Sequence, residues 1–333
     1  MVDLGAHRLH VNCSGQGSPT VVVENGFNEY SFDWILVQSQ VARFTKVCTY
    51  DRAGYAWSEP GPKPRSFAQI NLELRDALAK LGENGPFVLV GHSFGGPAVR
   101  NFALTYTKLV AGIVFVDAAS EEQRYTMQKK AILLRDGATG KPIPEPREQM
   151  LASDQPKLLA SSPPPETTVD PPFDRLPPAI QKLRMWADSQ PAMYDAQESE
   201  RTWSPEYFKN WYETPQTGSL GSIPLIALMR AEGGYGNDLD VQATELETER
   251  KQAHAHLAAL STRGKLQVVR SGHNMQIEVP AIVSQAIKYV VDAVRKQPKQ
   301  QEDSRRVTLP PGYPPTGNSF VYHSFAIPFP GFD

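Results

Sequence analysis

The stretch Val88-Leu-Val-Gly-His-Ser-Phe-Gly-Gly96 decides how this chain is read. An apolar strand-like run ends on a serine flanked by small residues. A serine hydroxyl attacks a carbonyl only when it is exposed, oriented and next to a base. A sharp turn from a buried strand into a helix supplies exposure and orientation, and its crowding demands small residues two before and two after the serine. Gly91, Gly95 and Gly96 meet that demand. Pro97 sits where a helix tolerates proline, in its first turn, so the segment to Tyr106 reads as a helix whose amino end faces the serine. Ser93 is therefore the candidate nucleophile, and the amides at the helix start are candidates for holding an oxyanion.

Outward from this turn, short apolar strands alternate with amphipathic helices. Thr20–Glu24, Thr45–Tyr50, Phe87–Val90, Gly112–Val116, Leu225–Met229 and Leu266–Arg270 read as strands, and His7–Cys13 alternates at period two. Ile70, Leu74, Ala77, Leu78 and Leu81 form one helical stripe, stopped at Gly82. Ile282, Val283, Ala286, Ile287, Val290 and Val294 form another, ended by Pro298. Alternating strands and helices predict a mostly parallel sheet covered on both faces. Residues 120–222 break the rhythm: they carry no buried-strand signal, several proline-stiffened connections, and helical patches containing Met185, Trp186, Trp203, Tyr207, Phe208, Trp211 and Tyr212. They read as a helical lid inserted between 1–119 and 223–297. Residues 298–333 form a C-terminal extension with four phenylalanines near its end, too many for a well-solvated tail; docking on this molecule or a second copy is expected.

The base must lie on the rim where parallel strands end. Of seven histidines, His273 in Ser271-Gly-His273 follows the last strand and sits there. His7 and His10 lie on the first hairpin, His254 and His256 in a charged helix, His323 in the extension, and His92 points away from a base role. A carboxylate must orient the imidazole. Asp117 ends the strand Gly112–Val116 directly, and for that reason is preferred. Glu232, Asp238 and Asp240 follow the strand Leu225–Met229 and stay open as alternatives.

Together, Glu24-Asn-Gly-Phe27, Asp51-Arg-Ala-Gly-Tyr-Ala-Trp-Ser58, Gly91-His-Ser-Phe-Gly95, Val116-Asp-Ala118 and Ser271-Gly-His273 resemble the α/β-hydrolase superfamily over about residues 3–296, in the chain order serine, acid, histidine. The resemblance implies an eight-stranded, mostly parallel sheet with helices on both faces and a helical cap after the sixth strand. It implies an oxyanion hole from the amides of Phe27 and Phe94; the usual His-Gly pair stands here as Asn25-Gly26. Asp51 and Arg52 are read as structural, fixing a turn. Serine in place of an aspartate argues against hydrolytic dehalogenation. The expected activity is carboxylic ester hydrolysis through an acyl-enzyme. Thioester, amide or carbon–carbon hydrolysis, cofactor-free haloperoxidation, or a slow or non-catalytic ligand receptor are the other uses of this fold. The implied sheet order also sets Cys13 opposite Cys48, where a disulfide would suit an oxidising compartment, against the plainer reading of two small buried hydrophobes.

Composition limits the partners. A net charge of -2, with 21% charged and 40% hydrophobic residues, gives no reason to expect nucleic acid. No apolar run is long enough to span a bilayer. No metal or organic cofactor is expected. The substrate is expected to be a small ester with an apolar group, although the aromatics of 120–222 serve packing equally well. Met1-Val-Asp-Leu-Gly lacks a signal-peptide pattern, and the compartment stays open.

Overall fold

A computed structural model of the chain describes residues 1–127, 129–147, 168–231, 233 and 241–297. The extension 298–333, with its phenylalanines, lies outside the described residues, as do Glu232, Asp238 and Asp240.

A seven-stranded sheet organises the molecule. Its strands are β3 (Val11–Ser14), β4 (Val21–Glu24), β5 (Val47–Tyr50), β6 (Phe87–His92), β7 (Val110–Val116), β10 (Leu225–Arg230) and β11 (Gly264–Val269), in the order β11-β10-β7-β6-β4-β5-β3. Only β3 runs antiparallel to its neighbour. Among the described residues seven strands are found where eight were expected. The difference lies at the amino end: β1 (Val2–Asp3) and β2 (Arg8–Leu9) pair with each other as a separate ribbon, and the alternating run breaks at His10 before β3 begins.

Period-two alternation sorts the core into two layers. Val22, Leu89, Ile113, Phe115 and Ala227 face α2 (Phe67–Lys80), α3 (Gly95–Thr105) and α6 (Ala243–Ala259). Val21, Val23, Val88, Val90, Val114, Val116, Ile226 and Leu228 face α1 (Ile35–Val41) and α8 (Pro280–Arg295). The central strands β4, β5 and β6 are buried along their whole length, as two-sided cover requires. Both sequence stripes become helices, α2 and α8, a few residues longer than their apolar positions.

The sheet edge carries the cysteine pair. Cys13 on β3 lies directly opposite Cys48 on β5, and the two form a disulfide. Cys13 is exposed, so the reading of two buried hydrophobes fails: antiparallel register, not apolar packing, explains both residues.

Between β7 and β10 the described chain forms a hairpin, β8 (Arg124–Met127) with β9 (Lys130–Leu133), then α4 (Pro178–Asp188) and α5 (Pro191–Glu213); the short α7 (Met275–Glu278) follows β11. The hairpin was not anticipated; it is partly exposed and so lacks a buried strand's signature. The aromatics divide. Tyr207, Phe208 and Trp211 of α5 pack against Phe67 and Phe94, while Trp186, Tyr194 and Tyr212 remain exposed.

Ile287 sits at the centre of the α8 face with no exposed surface. Truncating it leaves a cavity against β7 and β6, so Ile287→Ala is expected to lower the unfolding free energy by about 2–5 kcal/mol. Urea denaturation followed by circular dichroism reads this; a change below about 1 kcal/mol would contradict the packing described.

Candidate active site

Two neighbouring strands end in the same unusual way. Ser93 follows β6 with φ +48°, and Asp117 follows β7 with φ +41°. Left-handed backbone is uncommon for such residues and persists only where surroundings impose it. Here the sheet does so. The Ser93 N–H donates to Val116 O at 3.2 Å, and the Asp117 N–H donates to Leu228 O at 2.8 Å, each extending the ladder one step past its strand. The Ser93 carbonyl then accepts from Gly96 and Ala119. At Gly95 any side chain is excluded, because a Cβ would lie 2.3 Å from Glu24 O. That contact draws the start of α3 against the loop after β4 and leaves Ser93 half-buried at the helix's amino end.

The Asp117 carboxylate is buried and crowded with donors. Its Oδ2 lies 2.7 Å from His273 Nδ1 and also accepts from the Arg230 guanidinium; its Oδ1 accepts from the Arg230 backbone N–H at 3.1 Å. His254 Nε2 stands 3.6 Å from Oδ1. Burial alone would raise the Asp117 pKa. The hydrogen bond and charge of His273, then Arg230 and His254, overcome it and hold Asp117 well below the usual carboxylate range. With Nδ1 turned to a carboxylate, His273 keeps Nε2 as the ring nitrogen free to accept a proton. Its pKa is lowered, first by loss of water and then by the charge of His92, against the opposing pull of Asp117.

His92, expected only to point away from catalysis, forms a buried link instead. Its Nε2 lies 2.9 Å from His273 O and its Nδ1 lies 2.7 Å from Glu29 Oε1, the latter an ion contact bent away from a straight hydrogen bond. Both neighbours are acceptors, an arrangement that favours the protonated ring. Burial alone would lower the His92 pKa, but the Glu29 carboxylate raises it, and Glu29 in turn falls to about 2. Glu29 also accepts the Gly26 N–H at 2.6 Å and Gln276 Nε2 at 3.0 Å. One buried pair thus ties together the loop after β4, the turn at Ser93 and the His273 loop.

The loop Glu24–Phe27 is held from its other side by Arg52, which donates to Asn25 O at 2.8 Å and Gly26 O at 3.0 Å. Asn25 Nδ2 donates to Tyr50 O. Among the described residues no protein group accepts from the amides of Phe27 or Phe94, whose rings meet edge to face 5.8 Å apart. Asp51 fits its structural reading, accepting from Ser31 and His10.

Of the residues singled out in the sequence, Asp117 and His273 are in direct contact, and His92 joins the Ser93 turn to the His273 backbone. His254 lies in the charged helix α6, as read, but is buried there with its ring against Asp117. Glu29, Arg230, Gln276 and His254 were missed. Glu29, three residues beyond Gly26, was the one with a visible spacing signal.

The chain belongs to the alpha/beta hydrolase fold family, whose model matches residues 19–280. Curated relatives match in part. A probable transporter, efuK, of Hormonema carpetanum is 30% identical over 129 residues, 36% of this chain and 18% of that protein. An uncharacterized protein of Schizosaccharomyces pombe is 33% identical over 141 residues, 34% of this chain and 26% of the other. The chain therefore spans a minor part of these relatives' length. Among solved structures, a thermophilic esterase from Thermogutta terrifontis has a TM-score of 0.58 at 17% identity, covering 86% of this chain and 94% of its own. A putative epoxide hydrolase from Pseudomonas aeruginosa also reaches 0.58, at 15% identity, covering 87% and 94%. At such identities the likeness is one of fold.

The electrostatics can be checked directly. The His273 ring should titrate below its ordinary value of 6.5 in ring C–H NMR spectra. Because the Asp117 charge favours the imidazolium, Asp117→Asn should lower that midpoint further. A midpoint that rises in the variant would contradict the arrangement.

Proposed function

We propose that the protein is a serine hydrolase that cleaves carboxylic esters, with Ser93, His273 and Asp117 as its triad. The observation that carries this reading is the 2.7 Å contact between His273 Nδ1 and Asp117, on the same rim as a serine held in a left-handed turn. In this reading His273 Nε2 takes the Ser93 proton as the hydroxyl attacks the ester carbonyl. The amides of Phe27 and Phe94 hold the oxyanion, and both are without a protein acceptor among the described residues. The imidazolium, steadied by Asp117, returns the proton to the departing alcohol. Water, deprotonated by His273, then cleaves the acyl–Ser93 ester and frees the enzyme.

Epoxide opening, named for some structural neighbours, suits this serine poorly. Attack by its oxygen on an epoxide carbon would form an ether, which hydrolysis by this machinery does not reverse. An acyl ester of the same oxygen is hydrolysed readily.

Residues 120–222 act as the cap in this reading. Phe208 and Trp211 pack with Phe94, next to Ser93, which supports an apolar acyl or alcohol group in the substrate.

Hydrolysis of p-nitrophenyl esters from acetate to decanoate tests the proposal. Ser93→Ala should reduce kcat by roughly 10⁴-fold or more at every chain length. The wild-type kcat/KM should fall on acidification through a midpoint below 6.5, as protonation of His273 removes the base. Wild-type turnover by Ser93→Ala would refute the nucleophile.

A further inference from the structure

Arg52 is fully buried, and acceptors surround its guanidinium. Nε donates to Glu200 Oε1 at 2.8 Å and Nη2 to Glu200 Oε2 at 3.2 Å, a two-pronged contact from α5. Nη1 reaches Glu24 Oε1 at 3.1 Å as well as Asn25 O, and Nη2 reaches Gly26 O. A guanidinium is planar, with donors at fixed angles, so gripping one edge with a carboxylate sets the direction of the others. The peptide joining Gly26 to Phe27 is planar too, and its N–H points opposite to its carbonyl. Anchoring the Gly26 carbonyl on Arg52 therefore aims the Phe27 amide away from Arg52.

We propose that Glu200, on the segment inserted between β7 and β10, is a positioning residue that sets the Phe27 oxyanion amide through Arg52. The inference rests on the serine hydrolase reading above and adds that the oxyanion hole is complete only with α5 in place.

Three further observations support it. Glu24, the other carboxylate on Arg52, is pushed up to about 7 by burial, which outweighs Arg52 and the Tyr50 hydrogen bond. Glu24 also meets the guanidinium at one point only, Nη1, where Glu200 grips two nitrogens, so Glu200 is the firmer anchor of the fork. Tyr55 donates to Glu200 Oε2 at 2.7 Å and fixes that carboxylate in turn. Gly54, at φ +90°, lets α5 approach the Arg52 turn: a Cβ there would lie 2.9 Å from the Ala196 Cβ. The same segment also grips the following residues. Arg184 donates to Asn28 O at 2.9 Å and pairs with Asp33, and Gln197 donates to Asn28 Oδ1 at 3.1 Å.

The test compares wild type with Glu200→Gln and Tyr55→Phe, the second removing one hydrogen bond to Glu200 while keeping both charges. Asp195→Asn, which breaks the nearby Lys63–Asp195 contact, serves as control. Each folded variant is assayed on a p-nitrophenyl ester and titrated with an alkyl trifluoromethyl ketone, which becomes an oxyanion only when Ser93 adds to it. Loss of one oxyanion donor costs roughly 10²–10³ in kcat, so misplacing it should cost about 10- to 100-fold in Glu200→Gln and several-fold in Tyr55→Phe. The ketone's affinity should fall in step, with KM nearly unchanged and Asp195→Asn at wild-type levels. Unchanged kcat and ketone affinity in a folded Glu200→Gln or Tyr55→Phe would overturn the inference, as would a rise in KM alone. Failure of the underlying reading shows separately, as wild-type turnover by Ser93→Ala.

Discussion

The register between β6, β7 and β10 is the constraint on which the site depends. His92 pairs with Val116 across β6 and β7, so Ser93 and Asp117, the next residues, leave the sheet side by side. Leu228 pairs with Val116 on the far side, and its carbonyl holds the Asp117 amide. A slip of one residue would turn each side chain to the opposite face and bury the serine against helix α1 or α3. Because all these strands are packed on both faces, such a slip would also misplace every valine of the core. Stability of the sheet and placement of the candidate reactive groups are thus one requirement.

Ionic groups hold what the sheet cannot reach. The loop Glu24–Phe27 lies beyond the end of β4 and cannot be fixed by ladder hydrogen bonds. Its Gly26 peptide units are clamped instead by Glu29 on one side and Arg52 on the other, both buried. Burying paired charges costs desolvation and adds little to stability, so such pairs are weak as glue. Their directional bonds make them strong as fixtures, since a guanidinium or carboxylate accepts few alternative arrangements. The same logic covers Asp117, whose ionisation is secured by donors from two different elements, β10 and the His273 loop.

How far the site was legible in the sequence follows from this division. The candidates Ser93 and Asp117 could be read because each directly follows an apolar strand, and His273 because it lies on the loop after the last strand, on the rim that parallel strands share. The sheet itself is legible from alternation, although the amino-terminal run reads as one strand and the structure splits it at His10. The Cys13–Cys48 bond needed strand order, which no local pattern contains. Arg52 was visible as a buried corner residue, but its grip on the loop was not, because that depends on Glu200, 148 positions away on a helix whose docking angle the sequence does not encode locally. Arg230 and His254 escaped for the same reason: strand or helix periodicity reports a buried face, not the atom it meets.

The two halves of the site therefore differ in what can move them. Displacing Ser93 or Asp117 requires disturbing strands packed on both faces, which is costly in a close-packed core. In the proposed reading the Phe27 amide depends in addition on the contact of Glu200 with Arg52, which joins one helix to a loop. Loops owe their shape to the rigid elements that support them, and here one support belongs to the segment that also covers Phe94. In the proposed reading one segment therefore serves both the apolar cover over Phe94 and the support of the oxyanion amide.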